Sequence, residues 1–286
     1  MAQDDLNTKA SAISTFNMFR EPTSIAFGSG IGNMAPLIFE ADIVPYFMLS
    51  LNSNVKWGIE LSPRIILRMY NKESYPVSTP SFMPRVTGFY QFIDYEDKRR
   101  DLFAFCSWVH HSNGQDGYFY NIDSTTINTS TGSFSTNWLE GGIFLSRPDP
   151  NLSYNTNYIK LSAAYNYQQE ELLDGIYGNL RFYFNFKSTA NLTKFFNNYA
   201  IIQRDNSYLL YQSLNLGYIA GTLPGKPFYN RKRFIFKYTL AIKPSFLNNV
   251  NLFVQYYYGE DYYNIYFNQT LNVLRLGIST RSHVFN

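Results

Sequence analysis

The stretch that decides the fold is Lys56–Met69, which reads KWGIELSPRIILRM. Its side chains alternate between apolar and polar at nearly every position. A period of two is typical of a β-strand, because a helix would place residues i and i+2 on different faces. The apolar face carries Trp57, Ile59, Leu61, Ile65, Leu67 and Met69, and the polar face carries Lys56, Glu60, Ser62, Arg64 and Arg68.

The same alternation recurs along the chain from about residue 38. It is clear in 175–187 and 232–243 and less regular elsewhere. The other segments lie near 38–51, 82–93, 101–112, 134–146, 156–168, 207–221, 249–260 and 271–283. Together with 56–69 this makes eleven segments. A bacterial outer-membrane barrel has an even number of strands, so we expect one more strand within 10–30.

Composition favours a membrane barrel over a soluble sheet protein. Aromatic residues make up 19% of the 286 residues and charged residues only 16%, against about 25% charged in an average soluble domain. The sequence has no run of about 18 apolar residues that could form a transmembrane helix. Strands of ten residues or more with charged side chains in their middle indicate a hydrated lumen. We therefore predict an all-β, antiparallel transmembrane β-barrel of about 12 strands.

One boundary, between residues 36 and 37, follows from the pattern. Residues 1–36 form an N-terminal segment that is partly strand or plugs the lumen, and residues 37–286 form a single barrel domain. An outer-membrane protein requires a signal peptide, and the polar start at Met1 lacks one, so we expect a mature sequence with an added start Met. The net charge of +3 is too small to indicate a nucleic-acid partner.

The lengths of the connections predict that the two ends of the barrel differ. Segments 52–54, 172–175 and 247–249 are predicted to be tight turns, whereas 113–132, 188–206, 222–231 and 259–269 are predicted to be longer loops. Short turns at one end and long loops at the other are typical of bacterial outer-membrane barrels.

Three polar side chains stand on faces that are otherwise apolar. His110 and Ser112 share the apolar face of 101–112, and Asn137 shares that of 135–146. If the two strands are hairpin neighbours, Asn137 lies beside His110. A hydroxyl, an imidazole and an orienting amide are the parts of a nucleophilic triad. The alternative is that these residues only occupy the polar belt at the membrane surface; His111, by parity, faces the lumen or a loop.

Motifs around these residues resemble a known family. His110-His111-Ser112-Asn113-Gly114 is followed by Ser133-Phe134-Ser135-Thr136-Asn137, which match the patterns His-x-Ser-Asn-Gly and Ser-x-Ser-x-Asn. A second block near the end of the chain reads Tyr258-Gly259-Glu260, then Tyr266–Thr270, then Arg275-Leu276-Gly277, and a weaker match covers Ser81–Phe89. From about residue 38 onward the chain is similar to the outer-membrane phospholipase A family.

That resemblance implies a function and a set of roles. The family is a twelve-stranded barrel with a Ser-His-Asn triad on its outer wall, and it hydrolyses acyl esters of membrane phospholipids. Carried over by motif, Ser112 is the nucleophile, His110 the base and Asn137 the orienting residue of a phospholipase A1/A2. Gly114 is implied as a backbone N–H donor to the oxyanion.

The resemblance also implies a cofactor and a partner. The family requires Ca²⁺ and is active as a homodimer. Ser133 matches the hydroxyl that binds calcium, and Gln115 matches the residue that supplies a backbone carbonyl. The third contact comes from the partner subunit, for which Ser78 or Thr79 is the candidate in this chain.

A second function stays open from the sequence. The chain could be an inactive barrel that serves as a narrow porin or as a structural member of an envelope complex. The lumen residues favour a cross-linked interior over an open pore, because charged groups facing one another across a twelve-stranded barrel can pair. These predicted lumen residues are Glu60, Arg64, Arg68, Glu140, Arg181 and Lys237.

Overall fold

The computed structural model describes residues 18–49, 56–95, 100–148, 156–169, 171–191, 209–244, 247 and 250–280. Within them, thirteen strand segments form one antiparallel sheet. Their bounds are β1 Ser24–Gly32, β2 Leu37–Ile43, β3 Phe47–Leu49, β4 Trp57–Tyr70, β5 Ser81–Tyr95, β6 Arg100–Ser112, β7 Ser135–Pro148, β8 Thr156–Gln169, β9 Leu180–Asn191, β10 Leu209–Ile219, β11 Phe234–Lys243, β12 Val250–Glu260 and β13 Thr270–Thr280.

The sheet closes on itself as a barrel. Strands adjacent in sequence pair with each other except β2 and β3, β1 also pairs with β13, and β2 pairs with β4. β2 and β3 pair with different parts of β4 and are halves of one interrupted strand, so the thirteen segments make twelve barrel strands. The predicted fold and strand number are confirmed. We call the end at which residues 113–134 join β6 to β7 the site end and the opposite end the turn end.

The strand missing from the sequence pattern is β1. It lies inside the predicted N-terminal segment 1–36 and pairs with both β2 and β13, so this segment supplies a complete barrel strand. Two glycines with positive φ, Gly28 (62°) and Gly30 (74°), accompany a shift in its register against β13 between Phe27 and Ile31. This bulge interrupts the alternation, which is why the pattern alone did not locate the strand.

The two faces of the sheet match the predicted parity. Outward-facing apolar residues are exposed, and they include the predicted Trp57, Ile59, Leu61, Phe182, Phe234 and Leu240. Inward-facing polar residues are buried, and they include Glu40, Glu60, Arg68, Glu140, Arg181 and Arg275. Apolar side chains on the outside and buried charges on the inside reverse the arrangement of a soluble protein, and they fit a barrel in lipid.

Ion pairs fill the lumen at the site end. Arg68 donates from Nε to Glu40 (2.6 Å) and from both terminal nitrogens to Asp261 (2.7 and 2.8 Å). Arg275 donates to the other oxygen of Glu40 at 2.6 Å, as does the Tyr262 hydroxyl. Two carboxylates thus face two guanidinium groups, and each buried charge has an opposite partner.

At the turn end the lumen is filled by the residues that precede β1. The Phe19 ring lies 5.0 Å from the rings of Phe89 and Phe105 and 5.1 Å from that of Phe144. The Lys187 ammonium donates to the backbone carbonyls of residues 18, 19 and 20. Residues 18–20 therefore lie inside this half of the barrel, and residues 1–17 lie outside the described part.

Two predictions about connections are wrong. The segment 172–175 is part of a connection at the site end that contains a short 3-10 helix, Glu171–Leu173, and runs to the start of β9 at Leu180. Positive φ at Gly175 and Gly178 (both 73°) interrupts the extended conformation that the pattern suggested from residue 175. The segment 188–206, predicted as a loop at the same end as 113–132, begins inside β9, and the ends of β9 and β10 that flank it lie at the turn end; residues 192–208 lie outside the described part.

No helix in the described ranges is long and apolar enough to cross a bilayer.

Candidate active site on the outer wall

The geometry of the candidate site begins with the pairing of β6 and β7. His110 lies directly opposite Asn137 in the register of these strands. Their side chains meet outside the barrel, where His110 Nδ1 lies 2.9 Å from Asn137 Oδ1. The structure therefore brings together the two residues that parity placed side by side.

This contact determines which nitrogen of the neutral His110 imidazole carries the proton. An amide oxygen only accepts hydrogen bonds, so Nδ1 of His110 is the donor and carries the proton. In a neutral imidazole the other nitrogen, Nε2, then holds a free lone pair. Asn137 thus holds the His110 ring at Nδ1, the position that a carboxylate contacts in a Ser-His-Asp triad.

Ser112 lies on the same outer face, two residues nearer the site end. Two residues of β-strand separate Cα atoms by roughly 6.5 Å, which is within reach of side chains on one face. Among the described residues the Ser112 hydroxyl is not hydrogen-bonded to the His110 ring. Catalytic hydrogen bonds of this kind are commonly long without substrate and tighten when substrate binds.

The wall around these residues is apolar. Trp108 and Leu139, the next outward residues on β6 and β7, are 40% and 46% exposed. The Trp108 indole N–H donates to the Tyr167 hydroxyl on β8 at 2.8 Å, which ties three strands together beside the site. His110, Ser112 and Asn137 are half-buried in this surface. Polar groups on a lipid-facing wall are costly and are rarely kept without a role.

Asn113, to which the sequence assigned no role, braces the connection between β6 and β7. Its side chain donates to the Gly132 carbonyl (2.8 Å) and accepts from the backbone N–H groups of Gln115 (3.2 Å) and Phe134 (3.0 Å). It is 3% exposed, so these bonds are shielded from water. The sequence did indicate that Asn113 matters, because the residue lies inside the motif, between Ser112 and Gly114.

Gly114 gives the chain its turn away from the strand. Its φ of 65° lies in the left-handed region that favours glycine. It is exposed and lies two residues beyond Ser112, at the rim of the site end. Its position is compatible with the oxyanion role that the resemblance implies.

The residues implied in calcium binding lie on opposite arms of the same connection. The Asn113 N–H donates to the Phe134 carbonyl (3.1 Å), and the Ser133 N–H donates to the Gly117 carbonyl (2.9 Å). These two bonds join the arms that carry Gln115 and Ser133, and both residues offer uncharged oxygens. Such oxygens suit Ca²⁺, which takes 6–8 oxygen ligands, several of them water.

Ser78 and Thr79 come from a neighbouring connection. The Gln115 side-chain amide donates to Thr79 Oγ1, and the Ser78 carbonyl accepts from the Tyr263 hydroxyl at 3.3 Å. Thr79 therefore stands beside Gln115 within one chain. No group of three or more His, Cys, Asp or Glu that could hold a metal occurs in the described ranges.

His111 faces the lumen, as parity predicted. It is 4% exposed, and its Nε2 lies 3.2 Å from Ser81 Oγ. The Asn264 N–H donates to the same hydroxyl at 2.8 Å, and the Phe134 ring packs against the imidazole at 4.9 Å. His111 thus anchors the inner side of the strand whose outer side carries the candidate triad.

The second motif block supports the site from inside. Phe267 packs against Phe134 (5.9 Å between ring centroids) and Tyr177 (5.1 Å) in a cluster beneath the connections of the site end. This cluster joins the connection 261–269 to the connection 113–134. The two motif blocks, far apart in sequence, therefore meet in one structure.

The fold and these positions together define a closed twelve-stranded barrel with a histidine–asparagine pair on its outer wall. No protein-family model matches the chain, and no curated protein matches it in sequence.

Solved structures of outer-membrane phospholipases do match it in fold. Outer membrane phospholipase A from Escherichia coli has a TM-score of 0.59 and 11% identity, and the match covers 91% of this chain and 96% of that one. The Salmonella typhi enzyme, solved as a dimer with bound calcium, has a TM-score of 0.60 and 14% identity, over 95% and 98% of the two chains. At this identity the match shows the shared fold alone.

Proposed function

We propose that this protein is an outer-membrane phospholipase A that hydrolyses acyl esters of phospholipids with Ser112, His110 and Asn137. The hydrogen bond between His110 and Asn137 on the apolar outer wall carries this proposal. It leaves the His110 Nε2 as a base on the face that bears Ser112. The substrate is itself a component of the membrane, so a site on the wall meets it without extracting it.

The reaction follows the chemistry of serine esterases. Ser112 Oγ attacks the acyl carbonyl carbon while His110 Nε2 takes the hydroxyl proton. The same nitrogen returns that proton to the glycerol oxygen as the ester bond breaks, which releases a lysophospholipid. Water, deprotonated by His110, then cleaves the acyl-enzyme and releases the fatty acid. The Gly114 N–H would donate to the oxyanion at the rim of the site.

Calcium fits the oxygens on the connection between β6 and β7. The Gln115 carbonyl and the Ser133 hydroxyl would hold it, with Ser78 or Thr79 of a second copy of this chain as a further contact. The ion, when bound, supplies positive charge near the developing oxyanion. The Salmonella typhi structure is a dimer with bound calcium, and we propose the same two features for this protein.

The alternative is a barrel of the same fold without activity. A narrow porin is disfavoured because ion pairs and the Phe19 segment cross the lumen of the described barrel. An inactive structural barrel remains the competing function. It differs from the proposed enzyme only in whether the outer-wall residues react.

The test measures release of lysophospholipid from mixed phospholipid–detergent micelles, with calcium and with excess chelator. The parent is expected to release it only with calcium, and Ser112→Ala is expected to be inactive. Ser135→Ala is the matched control, because Ser135 pairs with Ser112 across the strands and carries the same hydroxyl. Equal rates for the parent and Ser112→Ala would replace the esterase with the inactive barrel.

A further inference from the structure

The connection between β10 and β11, residues 220–233, is strongly basic. Its sequence, AGTLPGKPFYNRKR, contains Lys226, Arg231, Lys232 and Arg233 and no acidic residue. The connection lies at the site end of the barrel. We call residues 220–233 the basic loop.

Arg233 fixes the shape of the basic loop. Its guanidinium donates from Nη1 to the carbonyls of Ile219 and Gly221 (both 2.7 Å) and from Nε to those of Lys226 (2.8 Å) and Pro227 (3.1 Å). It is 7% exposed. The Arg233 guanidinium is therefore bound within the loop. Its hydrogen bonds hold the backbone that carries the other three basic residues.

Two aromatic rings stand exposed at the tip of the loop. Phe228 and Tyr229 are 74% and 73% exposed, and their rings contact each other edge to face at 5.6 Å. The Tyr218 hydroxyl donates to the Phe228 carbonyl at 2.8 Å, and the Tyr218 ring packs against Phe234 on the outer wall at 5.2 Å. The pair thus continues the apolar wall outward past its rim. Aromatic side chains in this position are typical of the boundary between lipid tails and water.

The three remaining cations lack carboxylate partners among the described residues. Asn230 Oδ1 accepts the Lys232 N–H at 2.9 Å and holds the short turn that carries Arg231 and Lys232. Among the described ion pairs, Lys226, Arg231 and Lys232 take part in none. Glu260, the carboxylate that acts on Lys226, is already bound by Arg181 at 2.8 Å.

Neighbouring positive charge affects the pKa of Lys226. Partial burial and then the positive charge of Lys232 lower the pKa of the Lys226 ammonium. An anion placed between Lys226 and Lys232 would relieve this repulsion, and oxygen-rich anions such as phosphate accept from lysine and arginine. A free phosphate, however, would make no use of the two exposed rings.

We propose that the basic loop binds the phosphate of anionic lipid headgroups in the leaflet at the site end. Lys226, Arg231 and Lys232 contact the phosphate, while Phe228 and Tyr229 insert between neighbouring headgroups. Cations and aromatic rings combined on one surface element are what a charged membrane interface attracts. This proposal rests on the barrel crossing a membrane and is independent of any hydrolytic activity.

The test titrates the full-length barrel, in neutral detergent, with phosphatidylglycerol, phosphatidylcholine or inorganic phosphate and follows binding by native mass spectrometry. The Ser112→Ala background is used throughout, so that lipid is not consumed. The parent is expected to bind phosphatidylglycerol in preference to phosphatidylcholine, less tightly as salt rises. The triple variant Lys226→Gln, Arg231→Gln, Lys232→Gln should bind phosphatidylglycerol about tenfold more weakly or worse.

The matched control removes the same charge at the turn end, with Lys56→Gln, Arg147→Gln and Lys243→Gln. It should change the affinity for phosphatidylglycerol less than about twofold. A second variant, Phe228→Ser with Tyr229→Ser, should weaken phosphatidylglycerol binding while leaving all charges in place.

Three results would overturn the proposal. The basic-loop triple variant could bind phosphatidylglycerol as tightly as the parent, or the turn-end control could lose as much affinity as the triple variant. Inorganic phosphate could instead compete fully with the lipid while the aromatic variant behaves as the parent. That last result would show a site for free phosphate only.

Discussion

The two faces of β6 carry adjacent histidines in opposite settings. His110 points to the apolar outer wall and contacts one amide oxygen at 2.9 Å. His111 points into the lumen, is 4% exposed, and is held by Ser81 and an aromatic ring. One step along a strand thus separates a ring with an available nitrogen from a ring enclosed by packing.

The two faces of the barrel therefore differ in the property that a substitution should change. In the lumen, polar groups are numerous and satisfy one another, as Arg68 does with Glu40 and Asp261. On the outer wall, polar groups are few and stand in a surface that favours apolar side chains. We therefore expect substitutions on the outer wall to change activity and substitutions in the lumen to change the free energy of unfolding.

The largest effect is expected from the proposed nucleophile, Ser112, and the proposed base, His110. Ser112→Ala and His110→Ala should each lower phospholipid hydrolysis by about 10⁴-fold or more while leaving a folded barrel. Because the two residues act as one unit, the double variant should be no slower than either single variant. Assays of lysophospholipid release check the rates, and heat-dependent gel mobility checks the fold. Additive losses would show that the residues do not share one step.

A large loss of stability is expected inside the lumen. Arg68→Met leaves Asp261 buried without its cation and should lower the free energy of unfolding by about 3–5 kcal/mol. Arg64→Met is the matched control, since the Arg64–Asp42 pair is 27% and 19% exposed and should cost less. Urea titrations followed by tryptophan fluorescence measure both. Equal losses would mean that burial of the pair is not what matters.

His111 provides the direct test of the contrast between the faces. His111→Leu removes the bond to Ser81 and should lower the free energy of unfolding by about 1–2 kcal/mol. Hydrolysis by the folded variant should fall no more than a few-fold. His110→Leu should behave in the opposite way, inactive and nearly as stable as the parent. If His111→Leu were as inactive as His110→Leu, the lumen side would belong to the catalytic unit.

Asn137 should have a smaller effect than its two partners. Asn137→Ala removes the orientation of the imidazole and one hydrogen bond between neutral groups, about 1 kcal/mol before coupling is counted. Some hydrolysis should therefore remain, at a rate lowered by about one order of magnitude. Steady-state rates of the variant and of Ser135→Ala, measured side by side, check this. A complete loss would show that orientation is indispensable.

The smallest effect concerns the exposed tip of the connection between β6 and β7. Hydrogen bonds from the Thr126 hydroxyl and from the Thr126 and Thr125 N–H groups lower the pKa of Asp123 from 3.8 to about 2. Because folding lowers this pKa, the stability that these hydrogen bonds give to the fold is complete above pH 3.8. It is lost as the pH falls toward 2 and the Asp123 carboxylate is protonated. NMR chemical shifts of the Thr125 and Thr126 amides should titrate over that range, and Asp123→Asn should abolish the titration.

The sequence predicted the faces of the strands because alternation is a local property. Parity and one assumption, that β6 and β7 are hairpin neighbours, placed Asn137 beside His110. The same parity placed His111 in the lumen. Local pattern is sufficient wherever the partner residue lies on the adjacent strand.

Long-range partners could not be predicted in this way. Arg68 and Asp261 are 193 positions apart, and periodicity shows that a side chain faces the lumen but not which group it meets there. The connection before β9 was missed for a different reason. Tyr177 belongs to the cluster around Phe267, and this tertiary packing replaces the extended conformation that its neighbours suggest.

The seating of Phe19 at the turn end has a consequence for how the barrel assembles. Its ring is enclosed by β5, β6 and β7, and the carbonyls around it are held by Lys187, 168 positions away. β1, which follows it directly, joins the last strand, β13. β1 and β13 must therefore pair around a lumen that residues 18–20 either occupy already or enter as the barrel closes. Contacts at such separations form slowly, so we expect seating of Phe19 to accompany the final closure, with the segment before β1 open to proteases until then.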